Sequence, residues 1–176
     1  FSLEDEEDDL ETVWEVLKKS LDQALEGLVA MRKKEGLNLA LDISNRTKLI
    51  MAMVDRLEVR SPQVRQEYGE RLRNRIAEFL TQDVVDEQRL LQEIAIFADK
   101  SNITEEVVRL KSHTQQLEEL MKVDEPIGRK ADFLVQEMCR EINTIASKSN
   151  DLVMNHIVVD AKAELEKIRE QLQNIE

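Results

Sequence analysis

With 176 residues, 35% of them charged, and a formal net charge of −12, the chain has room for one large domain or two small ones. Four glycines, two prolines and 3% aromatic residues leave too few turn formers and aromatic or β-branched runs for a β-rich domain. Leu, Glu, Gln, Lys, Arg, Ala and Met dominate, all good helix formers. The fold class they predict is all-α: long amphipathic helices forming a helical bundle with extended coiled-coil-like arms.

The first eleven residues hold seven acids (Glu4, Asp5, Glu6, Glu7, Asp8, Asp9 and Glu11) and no base. Like-charge repulsion predicts that Glu4 to Asp9 is mobile, and an opening at Phe1 rather than Met suggests a fragment whose preceding part is gone. Leu10, Val13, Leu17, Leu21, Ala24, Leu28 and Met31 then recur at steps of three and four, which predicts an amphipathic helix ending near Gly36. A second helix runs from about Asn38 to Glu58 through Leu41, Leu49, Met53 and Leu57. Ser61 as N-cap and Pro62 at the first helical position begin a third.

Asp86 opens a fourth helix, "DEQRLLQEIAIFADK", apolar on nearly every side and therefore expected to be buried. Within it Glu93 would need a partner, since a lone buried carboxylate costs several kcal/mol. Asn102 with Glu105 three residues on resembles a capping box for a fifth helix reaching about Met121. "VDEPIGRK" is the clearest loop, holding one of the two prolines and one of the four glycines. Asp132 to Asn150 is the sixth helix and Val153 to Asn174 the seventh.

The sixth helix carries more functional side chains than solubility requires. Leu134, Met138, Ile142 and Ile145 share one apolar arc at 100° per residue, while Glu137, Glu141, Thr144 and Lys148 share another, with Arg140 beside them. Phe133 falls inside the polar arc. Glu137 and Glu141, one turn apart, can share a divalent cation or stand as a solvated, repulsive pair. Arg140 and Lys148 can temper that repulsion or hold phosphate oxygens. On the fifth helix Glu105, Arg109 and His113 follow at steps of four, and His113 can carry a proton near neutral pH.

No metalloprotease, ferritin-like, CxxC, phosphate-loop or nucleophile-elbow pattern occurs. Cys139 is the single cysteine, placed at the apolar edge as a packed thiol. No apolar run approaches the roughly 18 residues of a membrane span, and no signal-peptide pattern opens the chain, so the expectation is a cytoplasmic protein without membrane contact. Arg71, Arg73 and Arg75, and Arg129 with Lys130, are local basic clusters. They leave open both a nucleic-acid surface and a merely solvated helix face.

Four stretches, "ALEGLVAMRKKEG" (24–36), "DEQRLLQEIAIFADKSNITEEVVRLKSH" (86–113), "GRKADFLVQEMCREINTIASKSN" (128–150) and "ELEKIREQLQNIE" (164–176), together resemble the C-terminal part of the YicC/YloC family of bacterial cytoplasmic endoribonucleases. The resemblance covers nearly all of 11–176 and is weakest between 38 and 85. On it, residues 1–9 are an acidic linker remnant from a missing N-terminal domain, and 10–176 are the family's helical C-terminal domain. It implies RNA cleavage assisted by a divalent cation (Mg or Mn) and a ring-like homo-oligomer, a hexamer. The residues expected to act are Glu137, Glu141, His113 and Arg140 in catalysis, with Glu93, Glu137 and Glu141 on the metal. Arg109, Lys130, Phe133, Gln136, Asn143 and Lys148 are expected on RNA. The competing expectation is a non-catalytic helical oligomerisation or interaction module that docks the missing N-terminal domain.

Overall fold

The computed structural model describes residues 10–79, 87–123 and 125–173; the acidic run Glu4 to Asp9, expected to be mobile, lies outside them. Five helices and no strand occur among the described residues: α1 (Leu10–Phe79), α2 (Glu87–Lys100), α3 (Thr104–Leu120), α4 (Gly128–Lys148) and α5 (Leu152–Leu172). The all-α expectation holds. None of these helices is long and apolar enough to cross a membrane.

The first three predicted helices are one. Gly36 does not end a helix: it is exposed, and a Cβ there would meet nothing within 4 Å. Its penalty of about 1 kcal/mol relative to alanine is carried by good helix formers on both sides. Nor does Ser61 act as an N-cap, because α1 runs through Pro62. Proline removes one backbone hydrogen bond, but Arg60 brackets the gap. Its guanidinium donates to Glu67, two turns on, at 2.5 and 2.9 Å, and to Asp151 of the α5 cap at 2.7 Å. Asp151 and Glu67 are both held below the usual carboxylate range, in each case chiefly by the Arg60 hydrogen bond.

The chain divides into two compact units, Phe1–Leu41 and Asp42–Glu176. In the first, every described residue from Leu10 to Asn38 is exposed, including Leu10, Trp14, Leu17, Leu21, Leu28 and Met31. The second contains the core. Ile43, Ile50, Val54, Leu57 and Val64 of α1 are buried with Val107, Leu110 and Leu117 of α3, and with Met138, Ile142 and Ile145 of α4. From α5 come Ile157, Ala161, Leu165 and Ile168. Of the line expected on this part of α1, Leu57 is buried and Met53 packs against the core, while Leu41 and Leu49 are exposed.

Cross-links set the directions. Thr47 bonds Glu118 and Lys111 pairs with Glu58, so α3 runs antiparallel to this part of α1; Arg46 to Glu164 and Arg60 to Asp151 do the same for α5. On α4, Arg109 to Glu141 and Lys148 to Glu106 fix the antiparallel match with α3, and Arg169 to Asp132 the match with α5. Four helices of this kind, each between two antiparallel neighbours, form an up-and-down bundle.

Two local expectations change. Asn102 accepts from the Thr104 backbone N–H and hydroxyl (3.1 and 2.7 Å), while Glu105 pairs forward with Arg109 at 3.0 Å, so no reciprocal capping box forms. And α2 is not a buried helix: only Leu90 is buried, while Leu91 and Ile96 are exposed. It lies against α1 through Tyr68 stacked on Phe97 (ring centroids 3.6 Å apart) and through Ile94 against Gly69.

Candidate functional site

The apolar arc predicted on α4, Leu134, Met138, Ile142 and Ile145, is buried throughout. That burial turns the adjoining flank of α4, with Glu141 and Lys148, towards α3 and creates a long seam, along which most of the predicted site residues meet. At one end Lys148 Nζ donates to Glu106 at 2.6 Å and to the Asn102 carbonyl at 2.9 Å. Glu106 is buried, and its second carboxylate oxygen has no partner among the described residues. Lys148 is therefore a clamp between the helices rather than an open phosphate ligand.

One turn along, Arg109 lies between Glu105 (3.0 Å) and Glu141 (3.5 Å). The charge of Glu105, then that of Glu141, raises the guanidinium above its ordinary pKa. Glu141 is buried, while Arg109 remains half exposed. A further turn in each direction of this antiparallel pair brings His113 level with Glu137. His113 is half-buried, and its Nδ1 is shielded from solvent without a hydrogen-bond partner among the described residues. Arg140 donates to Glu137 and is otherwise exposed. Still further on, Phe133 is 59% exposed, beside Lys130, which reaches Glu125 only at 4.0 Å.

The seam thus gathers Arg109, His113, Lys130, Phe133, Glu137, Arg140, Glu141 and Lys148. Gln136 is exposed and donates to Asp132 at 2.7 Å; Asn143 is exposed on α4 as well. Glu93 does not join them, being exposed on α2 without an ion pair among the described residues. Glu141 is committed to Arg109 and Glu137 to Arg140. No three His, Cys, Asp or Glu side chains among the described residues gather into a group able to hold a metal ion. Glu93, Glu137 and Glu141 are thus not gathered into one such group among the described residues. Cys139 is the half-buried thiol expected, its pKa pushed up by burial and then by Glu166.

Sequence reasoning gives no role to Arg169, has Arg129 only in a basic cluster with Lys130, and has Glu106 only within a stretch that carries the family resemblance. Lys148 four residues short of α5 offers no hint of Glu106, since the two are 42 residues apart. Asp151 is legible in principle, as an acid just before an apolar run is an N-cap pattern; its carboxylate accepts from the Met154 backbone N–H at 2.9 Å.

A family model described as "Endoribonuclease YicC-like, C-terminal" matches residues 57–176, and one described as "Endoribonuclease YicC-like, N-terminal region" matches residues 1–41. The chain belongs to the YicC-like endoribonuclease family. A relative named "Probable endoribonuclease YicC" from Clostridioides difficile (strain 630) is 49% identical over 175 residues, covering 99% of this chain and 60% of the relative. Another of the same name, from Haemophilus influenzae (strain ATCC 51907 / DSM 11121 / KW20 / Rd), is 35% identical over 174 residues with the same coverage. The chain spans about 60% of the length of these curated YicC relatives. The α3–α4 seam lies wholly inside the YicC-like C-terminal match, and the break between the compact units at Leu41 coincides with the end of the N-terminal one.

Proposed function

We propose that this chain carries the RNA-cleaving face of an endoribonuclease, with the α3–α4 seam as that face. The observation that supports it best is His113, a half-buried imidazole one turn along α3 from Arg109, whose inner Nδ1 has no hydrogen-bond partner among the described residues. A base of this type takes the proton of an RNA 2′-OH; the 2′ oxygen attacks phosphorus, and the bond from phosphorus to the 5′ oxygen breaks. The 5′ oxygen leaves with a proton drawn from solvent, and the products are a 2′,3′-cyclic phosphate and a 5′-hydroxyl. Arg109 and Arg140, both exposed enough to reach RNA, hold the non-bridging oxygens as charge develops. The names of the relatives point the same way. A bacterial, cytoplasmic location accompanies this reading.

The exposed apolar side chains from Leu10 to Met31 favour a second role beside it: self-association, the hexamer of the family resemblance included. Cleavage of internally labelled RNA by the full-length protein, with and without EDTA, tests the chemistry. Cyclic phosphate ends that persist in EDTA support the His113 route. Ends carrying 5′-phosphate, lost in EDTA, overturn it in favour of water activated on Mg or Mn. No cleavage in either condition leaves the interaction module as the function.

A further inference from the structure

Two grooves meet at the start of α4, sharing Arg129 and Lys130 as the ridge between them. One, of about 580 Å³, is mainly apolar, lined by Phe133 and Leu134 of α4, Leu120 at the end of α3 and Val123 just beyond it. The other, of about 640 Å³, adds Arg169 of α5, with Gly128, Asp132 and Leu172. Volumes of this size suit a small ligand or one unit of a larger one.

The ridge is costly to the fold. Arg129 and Lys130 occupy the first turn of α4, the end of a helix that disfavours cations, and no acid stands in that turn. Ile127 at the N-cap offers no side-chain acceptor, so the first amide N–H groups add their own partial positive charge. The cations themselves are loosely held. Lys130 is 4.0 Å from Glu125; Arg169 is 3.5 Å from Glu166 and 3.8 Å from Asp132, and its Nε is buried without a hydrogen bond among the described residues. Arg129 has no ion pair among the described residues. Two acids line the grooves: Asp132, which already accepts from Gln136 at 2.7 Å, and Glu119, which accepts from Gln115 at 3.1 Å. Lys148 at 2.6 Å from Glu106 shows what a committed cation looks like in the same molecule.

Three under-used cations beside an exposed aromatic ring on an apolar floor ask for a ligand that is anionic at one end and flat and apolar at the other. We propose that this double groove holds one nucleotide of single-stranded RNA, its base stacked on Phe133 and its phosphate held by Arg129, Lys130 and Arg169. Arg129 lies two turns, roughly 12 Å, along α4 from Glu137, so this is a substrate-holding subsite beyond the reacting bond. The inference rests on the RNA reading above and extends it to where the strand lies.

The test is binding of a fluorescent oligouridylate and of a duplex RNA to the full-length protein at several salt concentrations. Arg129→Gln and Arg169→Gln should each weaken single-strand binding several-fold and flatten its salt dependence by about one ion. Phe133→Leu should weaken it by roughly 5- to 100-fold, leave the salt slope intact and spare the duplex. Arg169→Gln also removes contacts to Asp132 and Glu166. Arg129→Gln breaks no ion pair among the described residues, so it decides the question should Arg169→Gln unfold. Unchanged binding in Arg129→Gln and Phe133→Leu overturns the proposal, as does an equal loss on single strand and duplex. Cleavage by the unaltered protein is scored separately: a protein that binds as described yet cuts nothing refutes the enzyme reading and leaves the subsite standing.

Discussion

Two stretches of the same helix, α1, obey one rule and meet opposite fates. Leu10, Trp14, Leu17, Leu21, Ala24, Leu28 and Met31 step by four and three, and all are exposed. Ile43, Thr47, Ile50, Val54, Leu57, Ser61 and Val64 step by four and three as well, and all are buried. The exposed line is the more apolar of the two, since the buried one includes Thr47 and Ser61. A 3.5-residue repeat selects a face of a helix; only the rest of the chain decides whether that face is covered. Within Asp42–Glu176 it is, by α3 and α5, and within Phe1–Leu41 it is not.

That contrast can be broken or sharpened by substitution. Leu57→Ala, at a fully buried position, should lower stability by about 2–5 kcal/mol in urea denaturation; a loss below about 1 kcal/mol would mean that the buried stripe is not holding the bundle. Lys148→Met strands the buried Glu106 carboxylate, and should cost about 2–3 kcal/mol once the partial exposure of the lysine is discounted; an unchanged melting temperature would remove Lys148 from the clamp.

Acid should act through Arg60. Because Asp151 and Glu67 are depressed by it, the stability they contribute is complete above their unfolded pKa values near 4 and is lost as pH falls through the lower folded ones. Arg60→Gln should therefore flatten the stability profile below about pH 4, and an identical profile in the variant would refute the bracket. The smallest effect belongs to the exposed stripe: Leu21→Ala should change stability by no more than about 0.5 kcal/mol yet weaken self-association in sedimentation. A parent protein that sediments as a monomer at micromolar concentration would contradict the second half.

Much of this is legible in the sequence, where one helix suffices to define it. The burial of Leu134, Met138, Ile142 and Ile145 follows from spacing alone, as does the shared line of Glu105, Arg109 and His113. What spacing cannot give is the neighbour. Glu141 looks like a metal ligand in sequence because its tie to Arg109, 32 residues away, leaves no local trace. Glu93 looks buried because α2 is apolar, although α2 covers little of that surface. Pro62 and Gly36 read as breaks because local signals speak for breaking. At Pro62 the Arg60 bracket, which reaches across to Asp151, overrides them; at Gly36 the good helix formers on both sides do.

The claim that the α3–α4 seam does the cutting is tested most directly at His113. Single-turnover cleavage of a labelled RNA by the full-length protein should fall by about 10²- to 10⁴-fold in His113→Gln, with RNA affinity and melting temperature retained. Undiminished cleavage by that variant would contradict the assignment of the seam as the active face.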